Sequence, residues 1–156
     1  MTLTKIISGG QTGADQGALD GARACRFPYG GAIPAGRKTE TGPLPDDYLM
    51  DELASGHYPV RTEKNVADAD GTLIVSHGPL SGGSLLTFKI ARDTRKPCLH
   101  IDFNRDDIIS AERKVAVWVT HHSLRILNVA GPRASSDSEI YDVSRRLIVA
   151  LLSSEK

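Results

Sequence analysis

Cysteine, aromatic side chains and net charge are all scarce in this chain, and each shortage removes a class of function. The 156 residues include two cysteines, Cys25 and Cys98, which lie far apart and outside any metal-ligand spacing. Neither a disulfide scaffold nor a zinc module is written here, and both thiols are expected to be small buried residues. The five histidines, His57, His77, His100, His121 and His122, form no zinc pattern either, so no protein-bound metal is expected. One tryptophan, four tyrosines and three phenylalanines supply no stacking platform, and 19 Lys plus Arg balance 19 Asp plus Glu. Nucleic-acid binding is therefore not expected. No apolar run is long enough to span a bilayer, and no charged-then-apolar leader opens the sequence. The expectation is a cytoplasmic protein with no membrane partner.

Glycine, by contrast, is concentrated where it matters. Three apolar, β-branched runs each end in a glycine-rich turn that opens onto a helical pattern. Lys5-Ile6-Ile7 runs into Ser8-Gly9-Gly10-Gln11-Thr12-Gly13-Ala14-Asp15, Thr72-Leu73-Ile74-Val75 is followed by Gly78-Pro79-Leu80-Ser81-Gly82-Gly83-Ser84, and Arg125 to Val129 leads into Ala130-Gly131-Pro132-Arg133. If the runs are parallel strands of one sheet, all three turns share its carboxyl edge, where open α/β sheets place their ligands. Amides freed of Cβ atoms, at the positive end of a helix dipole, form an anion cradle, so a phosphate-type site is expected.

The rest of the chain fits this scheme. Strands are predicted at Thr4–Ser8, Phe27–Ile33, Thr72–Val75, Cys98–Asp102 and Arg125–Val129. Helices are predicted at Asp15–Arg26, Thr62–Asp70 with Thr62 as N-cap, Ser81–Arg95, Asp106–His121 and Ser136–Leu152, with a turn of helix in Tyr48–Ser55 and an ordered loop from Pro34 to Asp47. Alternation of this kind predicts a single α/β domain over residues 1–156, with a mostly parallel sheet of about five strands and helices on both faces.

The first turn, Gly9-Gly10-x-x-Gly13, lacks the spacing of a dinucleotide fingerprint, and no acidic residue ends the second strand to hold a ribose. No lysine and hydroxyl follow the last glycine as in a nucleotide-hydrolysing P-loop. The candidate ligand contacts are Gly9, Gly10, Gln11, Thr12, Gly13, Asp15, Arg37, Gly78, Ser81, Gly82, Gly83, Ser84, Gly131 and Arg133, and no catalytic residue is assigned. Arg37 and Arg133 suit anionic groups. Asp15 is either a helix cap or a residue with a ligand or catalytic role. Arg61, Glu63 and Asn65 are read as a solvated helix start, His77 as a structural histidine, and Asn128 and Trp118 as packing residues. Phe27, Tyr29 and Tyr48 are the aromatics near the edge that could stack on a ring.

With these motifs in view, the chain closely resembles the putative molybdenum carrier family, in the wider group of Rossmann-like proteins that includes lysine-decarboxylase-like phosphoribohydrolases and the DNA-processing protein DprA. The matching stretches are Lys5 to Asp15, Pro34-Ala35-Gly36-Arg37, Arg61-Thr62-Glu63-x-Asn65-Val66, Asp70 to Ile74, Gly78 to Ser84 and Leu127 to Arg133. The resemblance implies a Rossmann-like fold, a homo-oligomer, and binding of the molybdenum cofactor, a phosphate-bearing pterin, for carriage or storage, with molybdoenzymes as recipients. The alternatives are a nucleotide-binding sensor and an enzyme that hydrolyses the N-glycosidic bond of a nucleoside monophosphate. The related hydrolases carry a glutamate after their second glycine loop, and here Lys89 stands at that position.

Overall fold

The computed structural model describes residues 1–154. Its centre is a sheet of five parallel strands: β1 (Lys5–Ser8), β2 (Tyr29–Gly30), β7 (Gly71–Ser76), β8 (Cys98–Asp102) and β9 (Ile126–Ala130), in the order β2-β1-β9-β7-β8. Ile6 aligns with Leu127, Leu73 with Val129 and Val75 with Ile101. Successive side chains on a strand point to opposite faces, so each strand feeds two cores. On one face Ile6, Leu73, Val75, Leu127 and Val129 meet α1 (Ala14–Ala24), α4 (Ile108–His121) and α5 (Ile140–Ser153) in one buried cluster. On the other, α2 (Tyr58–Asp68) packs on α3 (Gly82–Asp93), covering the alternate residues Ile7 and Ile74.

The helix starts follow local chemistry. Pro59 occupies the first turn of α2, where its missing N–H is no loss. The Asp107 carboxylate caps α4 by accepting from the Ser110 amide at 2.8 Å. Pro97 separates α3 from β8.

Between β2 and α2 the chain leaves the sheet. The single predicted strand Phe27–Ile33 breaks at Gly31, whose φ is +124° and whose missing Cβ would fall 2.2 Å from the Ser8 carbonyl oxygen. A side chain there is sterically excluded, and the chain turns off the sheet. Ala32–Ile33 (β3) then pairs with Asp51–Glu52 (β6), and Lys38–Thr39 (β4) pairs with Gly42–Pro43 (β5), with a 3-10 turn at Ala35–Arg37 between them. The helical turn expected in Tyr48–Ser55 does not form, because this segment supplies β6. Thr62 is not an N-cap, since α2 begins four residues earlier at Tyr58.

Candidate functional site

Because the sheet is parallel, β1, β9 and β7 end side by side at one edge, and the three glycine turns meet there. A cavity of about 620 Å³ opens between them, within the range of small-molecule sites. Gly9, Gln11, Asp15, Ser81, Gly82, Gly83, Ser84, Gly131 and Arg133 line it, whereas Gly10, Thr12, Gly13, Gly78 and Arg37 do not.

The two helices that start at this edge differ in what their amino termini have left to offer. At α1 the amide of the first residue is already engaged, Ala14 donating to the Pro132 carbonyl at 3.1 Å, and in the turn ahead of the helix Gln11 donates to the Asp15 carboxylate at 3.3 Å and Thr12 to the Gln11 side-chain oxygen at 3.1 Å. Gly13, with φ +83°, lies so close to this third turn that a Cβ would meet the Pro132 carbonyl oxygen at 2.5 Å. At α3 the first bond is donated by Leu85 to the Ser81 carbonyl, which leaves the amides of Gly82, Gly83 and Ser84 ahead of the intrahelical ladder. No heavy atom lies within 4 Å of the Cβ positions of Gly82 or Gly83. Leading amides with open space before them are therefore found at α3.

The turn before α3 is tied down from β8. Asp102 accepts from the Gly78 and Asn104 amides at 2.8 and 2.9 Å, bonds that hold its pKa below the usual carboxylate value. The Ser76 hydroxyl donates to the Gly78 carbonyl at 2.6 Å and meets His100 Nε2 at the same distance.

Across the cavity the first turn presents a buried polar cluster. Arg61 Nη1 donates to the Gly9 carbonyl at 2.6 Å and lies 3.8 Å from the Asp15 carboxylate, and the two residues are only 8% and 7% exposed. Burial pushes the Asp15 pKa up to about 6, against the lowering influence of the Arg61 charge and the Gln11 amide. Arg61 and Asn65, expected on a solvated face, are thus buried. Asn65 accepts from the Ala32 amide at 2.8 Å and donates back to its carbonyl at 3.1 Å, fastening the excursion to α2. Glu63 is exposed as expected. Asp15 does not cap α1; it accepts from Gln11 and faces Arg61.

Thr12 and Glu40 tie the first turn to the third beside the cavity without lining it. The Thr12 hydroxyl donates to Glu40 at 2.6 Å and accepts from the Ala134 amide at 3.1 Å. Bonds from Ser135 and Thr12 lower the Glu40 pKa. Arg37 lies outside the cavity with its guanidinium already committed: Nε donates to Leu44 O at 3.0 Å and Nη2 to Pro45 O and Tyr48 O, both at 2.8 Å. Phe27, Tyr29 and Tyr48 do not line the cavity. Tyr58 does, with the Arg61 and Arg133 guanidinium carbons 5.3 and 5.5 Å from its ring centroid. His77 and Asp137, 60 residues apart, also line it, with Nδ1 2.6 Å from the Asp137 carboxylate. Asn128 does so from β9 and donates to Thr72 at 3.3 Å. For Tyr58 and Asp137 the sequence held no signal.

Neither cysteine lines the cavity, and burial raises the Cys98 pKa to about 11. Among the described residues no group of three His, Cys, Asp or Glu could hold a metal ion, and no helix is long and apolar enough to cross a membrane.

The circularly permutated YpsA SLOG family model matches residues 6–152. A crystal structure at 1.45 Å of a putative molybdenum carrier protein from Syntrophus aciditrophicus SB superimposes with a TM-score of 0.95 at 50% identity, covering 97% of this chain and 96% of that one. No curated protein matches.

Proposed function

From the premise that this chain belongs to the circularly permutated YpsA SLOG family, we propose that it binds a phosphate-bearing, ring-containing ligand, the molybdenum cofactor, and carries or stores it. The observation that supports this reading is the open amino terminus of α3 facing a cavity large enough for such a ligand. The phosphate takes the amides of Gly82, Gly83 and Ser84, where partial positive charge and unspent donors coincide. Arg133, exposed at the rim, neutralises remaining negative charge. Neither thiol is in the lining, and the protein contacts in this reading are to the phosphate and the ring of the cargo. Carriage of this kind needs no general base. Molybdoenzymes are the recipients in this reading, and copies of the chain associate.

The test is anaerobic loading with molybdenum cofactor, removal of free ligand by gel filtration, and determination of molybdenum and pterin per chain beside an AMP control. About one of each per chain without AMP is expected. Retained AMP without molybdenum would overturn the carrier reading. Arg133→Ala should weaken binding at least tenfold, about 1.4 kcal/mol.

The His77–Asp137 pair favours a second reading, hydrolysis of a nucleoside monophosphate at its N-glycosidic bond. A carboxylate on Nδ1 keeps the neutral ring's proton there and leaves Nε2 as a base inside the cavity. Release of ribose 5-phosphate from AMP or GMP, abolished by His77→Gln, is its measurement.

A further inference from the structure

We infer that Gln11 and Asp15 form a reader for one edge of the ligand's ring, and that the edge they fit is a carbonyl followed by a ring N–H and an amine. This is the amino-oxo-pyrimidine edge shared by pterins and guanine. The inference rests on the ligand reading above and narrows it from any phosphate-bearing ring to one class of ring.

The carrying observation is an orphaned donor. Gln11 is 5% exposed, and its Oε1 accepts from two backbone amides, Thr12 at 3.1 Å and Glu40 at 2.9 Å. Those two donors fix which end of the amide is oxygen. The other end, Nε2, is buried and has no hydrogen-bond partner among the described residues. Buried polar atoms are nearly always satisfied, because an unpaired one forfeits its hydration without return. Gln11 lines the cavity, so a ring that enters there supplies the partner that Nε2 lacks once the atoms shielding this nitrogen shift.

Asp15 supplies the complementary half. Asp15 lines the same cavity from the first turn of α1, with Oδ2 engaged by the Gln11 amide at 3.3 Å and by Arg61 at 3.8 Å and with the Ser8 hydroxyl also acting on the carboxylate. A carboxylate has about four lone-pair sites, so acceptor capacity remains. A donor beside an acceptor of this kind meets three groups on a guanine or pterin edge: the carbonyl takes Nε2–H, and the ring N–H and exocyclic amine give to the carboxylate. Adenine offers one acceptor and one donor, and makes one contact fewer. A site built around paired polar groups rejects an analogue that leaves one of them unpaired.

The experiment is calorimetric titration of the full chain with GMP, AMP, guanosine and adenosine. The expected result is GMP at least tenfold tighter than AMP, with guanosine favoured over adenosine. Gln11→Glu keeps an oxygen for the Thr12 and Glu40 amides and replaces the donor with an acceptor, so it should erase that preference. If the added charge beside Asp15 and Glu40 unfolds the variant, the nucleobase comparison on the unaltered chain still decides. GMP and AMP equal to each other, and both tighter than the nucleosides, would overturn the edge reader while leaving the phosphate cradle standing. A preference for AMP overturns the reader as well, as does no binding of any of the four, while the carrier reading itself is decided by the cofactor-loading test.

Discussion

Asp15 and Arg61 put the most strain on a purely local reading, because each looks ordinary in its own segment and acquires its meaning from the other. A carboxyl whose pKa rises from 3.8 unfolded to about 6 folded binds its proton more tightly in the native state. Stability from this group is therefore complete below about pH 4 and is lost as pH rises through 6, by about 3 kcal/mol at one pH unit per 1.36 kcal/mol. Asp15→Asn should remove that slope, so that urea unfolding of the variant gains on the natural protein between pH 4 and pH 7. Arg61→Met leaves Asp15 buried without its cation and the Gly9 carbonyl without its donor. A loss of about 3 kcal/mol at pH 7 is expected in the same assay. Arg37 is the contrasting arginine: with its donors spent on the carbonyls of Leu44, Pro45 and Tyr48, Arg37→Ala should lower the unfolding midpoint. Ligand affinity should stay within about twofold, the span of additive, distant effects. That Arg37 follows Pro34-Ala35-Gly36 was visible in the sequence; that its carbonyl partners lie in the loop it folds over was not.

At the scale of elements, glycines of identical appearance divide into two kinds. Gly17 and Gly21 let α1 press against α5, where a Cβ on Gly17 would stand 2.4 Å from the Tyr141 carbonyl oxygen. Gly17→Val should cost upwards of about 2 kcal/mol in chemical unfolding, since neither backbone can retreat. Gly83 has open space around its Cβ position. Gly83→Ala should leave stability within about 0.5 kcal/mol, as surface substitutions do, yet weaken phosphate-ligand binding by crowding the cradle, a separation readable by pairing calorimetry with thermal melts. The strand-turn-helix units were legible because strand and helix periodicities and glycine turns are local signals. The excursion from Gly30 to His57 was not, because strands of two residues carry no periodicity and pair only after the sheet has formed.

For the whole molecule, the parallel sheet with helices on both faces follows from alternation of strands and helices, and its order β2-β1-β9-β7-β8 brings the three glycine turns to one edge. Association of copies belongs to the proposed function and is checked by light scattering: a mass above the 16.8 kDa of one chain is expected, and a monomer would remove it. Sequence by itself determined the fold class, the meeting of three glycine turns at one edge and, among the residues that line the cavity, the turn glycines and a few of their neighbours, since these depend on glycine, apolar period and chain order. Tertiary structure decided which helix terminus is open, which arginine is buried, and that Tyr58, His77 and Asp137 share a cavity. The reason is physical: the Ala14 amide at the head of α1 is taken by the Pro132 carbonyl, and Arg61 is captured by Gly9 and Asp15, through bonds that exist only when distant segments close on one another.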